Sequence, residues 1–166
     1  MTGYEVVMSD TAVLVVDMLN AYRHEDAELL APNVADIIDP LVEVIARARE
    51  SDDVDMIYVN DNYGDFTADH NDIVRSALEG ERPDLVKPIV PDEDCLFLEK
   101  VRHSAFYTTS LAYLLRRLET RRLILTGQVT EQCTSTPHWT PTSAIFLSWC
   151  HRMRSRTSTL RSARRR

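Results

Sequence analysis

The sequence predicts a three-layer α/β/α fold with a mainly parallel sheet, on two observations. Short apolar segments rich in β-branched residues are continuous rather than alternating in polarity, as in strands that are covered on both faces. These segments alternate along the chain with amphipathic segments of helical periodicity. The resulting order is strand, helix, strand, helix, strand, helix, strand, which is typical of parallel sheets with right-handed crossovers.

Four strands are expected before residue 133, at residues 11–16, 56–60, 95–99 and 122–126. The third of them is expected at the edge of the sheet, and Gly127 ends the fourth. Three helices are expected at residues 34–50, 73–79 and 110–118, because apolar residues recur there at helical spacing. Pro40 lies inside the first helical pattern, so that helix either begins near Pro40 or is kinked there. Residues 80–94 are expected to form a loop punctuated by prolines.

Length and composition indicate one ordered domain. The chain has 166 residues, of which 44% are hydrophobic, enough to bury a full core. No apolar run approaches membrane-spanning length and the N-terminus has no signal-peptide pattern, so a cytoplasmic location is the default expectation. Three cysteines without C-x-x-C spacing argue against a disulfide framework or a structural zinc site.

Charge divides the chain at about residue 133. Residues 1–133 contain all 26 acidic residues and 12 of the 19 basic ones, whereas residues 134–166 contain seven arginines, no lysine and no acid. An arginine-rich end can bind nucleic acid or an acidic partner. Neither is expected here, because another explanation accounts for the tail better.

The tail has the properties of a frameshifted segment. A shift of one base, with free choice of third codon positions, allows residues 135–159 to be re-read as YSALDAYIRHFPVVVPPDAVAHID. The unique codons of Trp139 and Trp149 force Asp and Val in that string. The re-read segment has a helix-like start and a proline-bounded VVV strand. We therefore expect a domain at residues 1–133 and a basic, non-native tail at 134–166.

Three residues that can carry chemistry stand at or just beyond predicted strand ends. Asp17 follows the first strand, Lys100 follows the third, and Cys133 lies six residues after Gly127. In open α/β sheets, ligands bind beyond the carboxyl ends of the strands. A helix that starts near Cys133 would also favour its thiolate through the helix dipole.

Together these segments resemble the isochorismatase-like cysteine hydrolases, whose Asp, Lys and Cys occur in this chain order at three strand ends. The resemblance covers roughly residues 11–133. It implies a Rossmann-like sheet of six strands, of which four precede Cys133 and the C-terminal ones are missing. The missing strands would expose one side of the sheet and its hydrogen-bonding edge, and we expect poor stability as a result.

The resemblance also implies a mechanism and a set of site residues. Asp17 would accept the thiol proton of Cys133, Lys100 would stabilise the thiolate, and Cys133 would form an acyl-enzyme. Backbone N–H groups of Val129 and Cys133 would form the oxyanion hole. The substrate, a small amide or a compound with a related C–N or C–O bond, would contact four side chains: Asn20, Asn62, Tyr63 and Phe106.

The same resemblance bears on metals and partners. In the nicotinamidase branch, the loop after the second strand carries an aspartate and histidines that bind a divalent metal. Here Asn62 and Tyr63 follow Asp61 and the nearest histidine is His70, so no metal and no cofactor are expected. The expected partner is a small-molecule substrate, with no nucleic acid and no membrane, and family members are often homo-oligomers.

Each of the three residues also has a purely structural interpretation. Most lone cysteines are inert and buried, an Asp after a strand often caps a turn, and most lysines are solvated. A catalytically inactive or binding-only protein therefore stays open as an alternative, since Pro137 and Pro141 would disturb a helix after Cys133. A nucleotide-binding protein is disfavoured, because the first strand lacks a glycine-rich fingerprint.

Overall fold

The computed structural model describes residues 10–101, 104–128 and, as backbone, 143–147. In these residues one sheet contains five parallel strands, which are β1 (Thr11–Val16), β2 (Val54–Asp61), β3 (Leu96–Lys100), β4 (Arg122–Gly127) and β5 (Ser143–Leu147). Their order across the sheet is β3-β2-β1-β4-β5. The α/β fold with a parallel sheet is therefore confirmed, and β3 lies at an edge as predicted.

The strand order fixes where a site can form. From β1 the chain moves outward to β2 and β3, then crosses back to place β4 on the other side of β1. The order therefore reverses between β1 and β4, and the carboxyl ends of these two strands face the crevice where such folds bind ligands. The register pairs Val16 of β1 with both Val59 and Gly127, so the two neighbouring strands end close to Asp17.

Helices cover both faces of the sheet. The described helices are α1 (Ala27–Arg49), α2 (His70–Leu78), α3 (Pro83–Val86) and α4 (Leu111–Arg117). Val15 and Tyr58 point into a core with α1, α2 and α3, whereas Leu14 and Val16 point into a second core with α4. All six residues of β1 are buried, which explains why its sequence is continuously apolar.

Helix α1 begins seven residues before its predicted start. Its buried residues recur at alternating steps of four and three, which is the spacing of one helical stripe, and they are Ala27, Ala31, Val34, Ile38, Leu41, Ile45 and Ala48. Pro32 and Pro40 lie inside the helix, where each removes one backbone hydrogen bond. Burial of the stripe outweighs that loss, so the helix neither begins at Pro40 nor ends there.

The prediction of a plain loop at residues 80–94 is wrong in part. Residues Pro83–Val86 form α3 and Lys87–Ile89 form a 3-10 turn. Pro83 stands in the first turn of α3, where its missing N–H costs nothing and its fixed φ angle suits a helix. Leu85, Val86 and Ile89 are buried, so this segment closes the core beside α1.

Strand β4 does not lie at an edge of the described sheet. Strand β5 pairs with β4 in parallel register, from Arg122 with Ser143 to Thr126 with Leu147. The tail, which was expected to contribute no strand, therefore supplies one.

Gly127 is the tightest backbone position at the crevice. Its φ is +106°, and a Cβ there would lie 2.2 Å from the Val16 carbonyl oxygen. We expect Gly127→Ala to lower the free energy of unfolding by about 3 kcal/mol or more, through backbone strain and this clash. Urea denaturation measures the loss.

Gly64 provides the matched control. Its φ is +83°, yet a Cβ would meet no atom within 4 Å. Gly64→Ala should therefore cost only the strain, about 1 kcal/mol. Equal losses in the two variants would contradict the close approach of β1 and β4.

Candidate active site

Asp17 is held at the carboxyl end of β1 by the backbone of the next strand. Its φ is +55°, a left-handed conformation that Asp tolerates better than most residues. The Asp17 N–H donates to the Val59 carbonyl at 3.0 Å, and its Oδ1 accepts the Asp61 N–H at 3.1 Å. These two bonds turn the carboxylate across the end of β2.

Lys100 reaches this carboxylate from the edge strand. It is the last residue of β3, two strands from β1, so its side chain must span roughly 10 Å of sheet. Its Nζ lies 2.8 Å from Asp17 Oδ2, and only 2% of the side chain is exposed. The sequence predicts that Asp17 and Lys100 converge, and the structure brings them together as an ion pair in which Lys100 is buried and the Asp17 side chain is 22% exposed.

Burial sets the protonation behaviour of Asp17. Loss of water raises the pKa of its carboxyl above the usual 3.8, and this effect exceeds the opposing stabilisation by the Lys100 ammonium and the Asp61 N–H. Between pH 3.8 and the raised pKa, the folded protein holds more protons than the unfolded chain. Burial of Asp17 therefore lowers the free energy of unfolding as the pH rises through this window.

The residue that follows β4 is also held at the carboxyl end of the sheet, beside Asp17. The Gln128 N–H donates to the Val16 carbonyl at 3.0 Å, which ties the residue after β4 to the residue before Asp17. Cys133 and Val129, the predicted nucleophile and oxyanion-hole residue, lie outside the described residues. Cys133 follows Gln128 by five residues, and a chain of that length spans at most about 18 Å. Connectivity thus allows the thiol to reach Asp17.

Two of the predicted substrate-binding residues are occupied with backbone contacts. Asn20 and Asn62 are buried. The Oδ1 of Asn20 accepts the Tyr22 N–H at 2.7 Å, and the Oδ1 of Asn62 accepts the Gly64 N–H at 3.0 Å. In this structure both carbonyl oxygens stabilise turns beside the site.

Tyr63 and Phe106 have different surroundings. The Tyr63 hydroxyl donates to the Leu19 carbonyl at 2.9 Å, although 57% of the residue is exposed. Tyr63 also lines a cavity of about 420 Å³ between its loop and α2, together with Asn62 and Leu19. Phe106 packs against the core on the α4 side and does not line this cavity.

Comparison with known proteins identifies the family. The isochorismatase domain family matches residues 11–137. The chain belongs to the isochorismatase family.

Individual members of the family are similar over the same part of the chain. The isochorismatase family protein YaaI of Bacillus subtilis is 35% identical over 119 residues, which are 72% of this chain and 65% of YaaI. An isochorismatase-like hydrolase from Alkaliphilus metalliredigens has a TM-score of 0.54 at 28% identity, covering 72% of this chain and 65% of that one. The chain thus spans slightly under two thirds of the length of these relatives.

A structural relative with a named activity is also similar. The N-carbamoylsarcosine amidase of Thermoplasma acidophilum has a TM-score of 0.52 at 26% identity, covering 71% of this chain and 67% of that one. A cysteine hydrolase from Pseudomonas syringae pv. phaseolicola has a TM-score of 0.53 at 25% identity, covering 72% of this chain and 60% of that one. Isochorismatase-family hydrolases therefore share this fold.

The described residues of this isochorismatase-family chain contain no evident metal centre. Nowhere in residues 10–101 and 104–128 do three or more His, Cys, Asp or Glu side chains form a group suited to a metal ion. His70 stacks at a tilt on Phe97, with ring centroids 5.8 Å apart. In the same residues no helix is both long and apolar enough to cross a membrane.

Two contacts at this site were not predicted from the sequence. Asp61 Oδ2 lies 3.5 Å from Lys100 Nζ, so a second carboxylate faces the ammonium. The buried Asn60 side chain accepts the Leu19 N–H at 3.0 Å and donates to the Leu19 carbonyl at 3.2 Å, which fixes the chain just after Asp17. Asp61 stands opposite Lys100 in the β2–β3 register, and this neighbour relation becomes visible only once the strands are paired.

The buried ion pair should matter for stability. Lys100→Met removes the ammonium and leaves Asp17 and Asp61 facing each other, so we expect a loss of about 3 kcal/mol in the free energy of unfolding at pH 7. Without the ammonium the pKa of Asp17 rises further. The native state then holds excess protons up to a higher pH, and the deficit should be larger at pH 7 than at pH 4.

Arg82→Met is the control for this measurement. Arg82 pairs with Asp84 at 2.7 Å on the surface, and such exposed pairs contribute less than about 1 kcal/mol. Urea titrations of both variants at pH 4 and pH 7 test the difference. A Lys100→Met loss no larger than that of the control, or one independent of pH, would contradict a buried, charged pair.

Proposed function

We propose that this chain is a cysteine hydrolase that cleaves a small amide, or a related C–N or C–O bond, through Asp17, Lys100 and Cys133. The observation that carries the proposal is the Asp17–Lys100 ion pair at 2.8 Å, which lies at the carboxyl ends of the strands and spans the end of β2. Burying an ion pair is costly and contributes little net stability, which favours a functional reason for it. Membership in the isochorismatase family supports the same conclusion.

Each residue has one role in this reaction. Asp17 accepts the proton of the Cys133 thiol, and Lys100 stabilises the resulting thiolate by its positive charge. The thiolate attacks the carbonyl carbon, and backbone N–H groups of Val129 and Cys133 stabilise the oxyanion. Asp17 then protonates the leaving amine as the acyl-enzyme forms. Water attacks the thioester, Asp17 takes its proton, and the acid product leaves as the thiol is restored.

The raised pKa of Asp17 suits this cycle. A carboxyl group that must both accept and return a proton works best when its pKa is closer to the working pH. Burial moves the pKa of Asp17 in that direction, while Lys100 and the Asp61 N–H keep the ionised form accessible. The ion pair therefore prepares Asp17 to act as a base before substrate binds.

The substrate class follows from the chemistry and the family. A cysteine nucleophile favours acyl transfer, and the similar amidase from Thermoplasma acidophilum is named for an N-carbamoyl amino acid. The cavity of about 420 Å³ beside Tyr63 is large enough for a compound of that size, but neither Asp17 nor Lys100 lines it, so the proposal does not rest on this cavity. We propose a small amide as substrate, with Asn20, Asn62, Tyr63 and Phe106 as candidates to contact it.

The second candidate is a catalytically inactive or binding-only protein. The observation that favours it is the change of composition immediately after Cys133, where Pro137 and Pro141 follow within two helical turns. An inactive protein would retain the Asp17–Lys100 pair without using it in a reaction. It would bind a small amide without turning it over.

Turnover by variants tests the proposal. We expect Cys133→Ala and Asp17→Asn each to lower kcat for a cleavable amide by about 10³-fold or more, because nucleophile and base act as a unit. Because the pKa of Asp17 is raised, the acidic limb of the kcat/KM profile should lie above pH 3.8. A screen of N-carbamoyl and simple primary amides, with ammonia release as readout, measures this.

Asp92→Asn is the matched control for the base. It removes one carboxylate that pairs with Arg49 at the opposite end of the sheet, so kcat should be unchanged. Turnover that survives in Cys133→Ala would contradict a cysteine mechanism. Amide binding without turnover in the unmodified chain would favour the inactive alternative.

The tail is best explained as a product of a shifted reading frame. We propose that residues 1–133 form the hydrolase domain and that residues 134–166 are non-native. The family match ends at residue 137, four residues after Cys133, which supports this boundary. Sequencing the encoding DNA tests it, and we expect a one-base change near codon 134. An uninterrupted frame that close relatives share would contradict it.

A further inference from the structure

One ammonium at this site faces two carboxylates. Lys100 Nζ lies 2.8 Å from Asp17 Oδ2 and 3.5 Å from Asp61 Oδ2. The proposed reaction uses Asp17 and Lys100 and leaves Asp61 without a role. Because an additional negative charge raises the cost of ionising Asp17, the position of Asp61 requires an explanation.

The backbone holds Asp61 in this position from both sides. In the register of β2 and β3 it stands directly opposite Lys100, and the Asn62 N–H donates to the Lys100 carbonyl at 3.0 Å. The Asp61 Oδ1 accepts the Tyr63 N–H at 2.7 Å, which leaves Oδ2 toward the ammonium. The Asp61 N–H in turn donates to Asp17 Oδ1 at 3.1 Å. Asp61 thus contacts both members of the ion pair.

The negative charge that faces Lys100 moves during the proposed reaction. When Asp17 accepts the thiol proton it becomes neutral, its attraction to Lys100 falls, and the charge passes to the Cys133 thiolate and then to the oxyanion. Only 2% of the Lys100 side chain is exposed, so solvent compensates its charge poorly at that moment. A carboxylate that does not take part in proton transfer keeps the ammonium compensated throughout the cycle.

We propose that Asp61 is a positioning residue that remains the counter-ion of Lys100 while Asp17 takes up and releases the proton. This inference rests on the proposed function. Asp61 acts through Lys100 and Asp17 rather than through contact with the substrate.

Within the part of the chain that the structure describes, the charged and titratable groups around Asp17 come from three segments. Lys100 approaches from β3, Asp61 from the end of β2, and the Tyr63 hydroxyl from the loop that follows β2. Burial is the largest cause that raises the pKa of Asp17, and the charge of Asp61 raises it further. Removing that charge relieves the repulsion of Asp17 and removes one carboxylate that competes with Asp17 for the Lys100 ammonium, so both effects lower the pKa of Asp17.

The direct test is an NMR titration of the Asp17 side-chain carboxyl carbon in the full chain. In Asp61→Asn the amide oxygen can still accept the Tyr63 N–H, so the variant removes charge and keeps the turn. We expect the pKa of Asp17 to fall by about half a unit or more. Asp61→Glu retains the charge and should leave the pKa of Asp17 raised. Asp92→Asn, at the far end of the sheet, should leave it unchanged.

Kinetics provide the second readout. In Asp61→Asn, kcat should fall about tenfold with little change in KM, because the loss appears when Asp17 is neutral rather than when substrate binds. An unchanged pKa of Asp17 in Asp61→Asn, or an equal fall in Asp61→Glu, would overturn the proposal. Unfolding of both Asp61 variants would also overturn it, since that result indicates a structural role alone.

The two proposals can fail separately. The titration of Asp17 does not require turnover, so it tests Asp61 even in a chain that cleaves no amide. Failure of the proposed function appears instead as turnover that survives in Cys133→Ala. That variant should leave the effect of Asp61 on the pKa of Asp17 in place.

Discussion

The contact between Asp17 and Lys100 is the constraint on which the candidate site depends. A lysine at the edge of the sheet and an aspartate at its centre meet across β2 only if β3, β2 and β1 are adjacent, parallel and correctly in register. A register shift of one residue would reverse the faces of the side chains and separate the two charges. The apolar cores on both faces of the sheet stabilise this register. The register in turn places the two charged side chains at the strand ends within contact distance.

The same arrangement explains why the site lies at the β1–β4 crevice. Gly127 allows β4 to approach β1 so closely that a side chain would collide with the Val16 carbonyl, and Gln128 is then bonded to that carbonyl. The segment that leads to Cys133 therefore starts beside Asp17. The Asp17 carboxylate, the close approach of β4 to β1 and the start of the segment that leads to Cys133 therefore lie at the same end of the sheet. Ligands are expected to bind there, because the strand order reverses at this point.

The sequence predicted most of the sheet because buried parallel strands are continuously apolar. The first strand was predicted at its observed bounds, and the fourth to within one residue. The start of α1 was missed because the apolar stripe was traced only from Val34, although the alanines at 27 and 31 continue it. The contact between Asp61 and Lys100 could not be predicted, because the sequence does not show which residues of two strands lie opposite each other. Strand β5 was missed because the tail was treated as unable to contribute one.

The central claim is that Lys100 activates the thiol of Cys133, and the pH dependence of alkylation at that residue tests it most directly. Peptide-resolved labelling separates Cys133 from Cys95, whose thiol pKa is raised to about 11 by burial and which serves as an internal reference. We predict a Cys133 thiolate that forms well below pH 8.5, and a shift to higher pH in Lys100→Met. A Cys133 profile at or above pH 8.5 that is the same in both proteins would contradict the account.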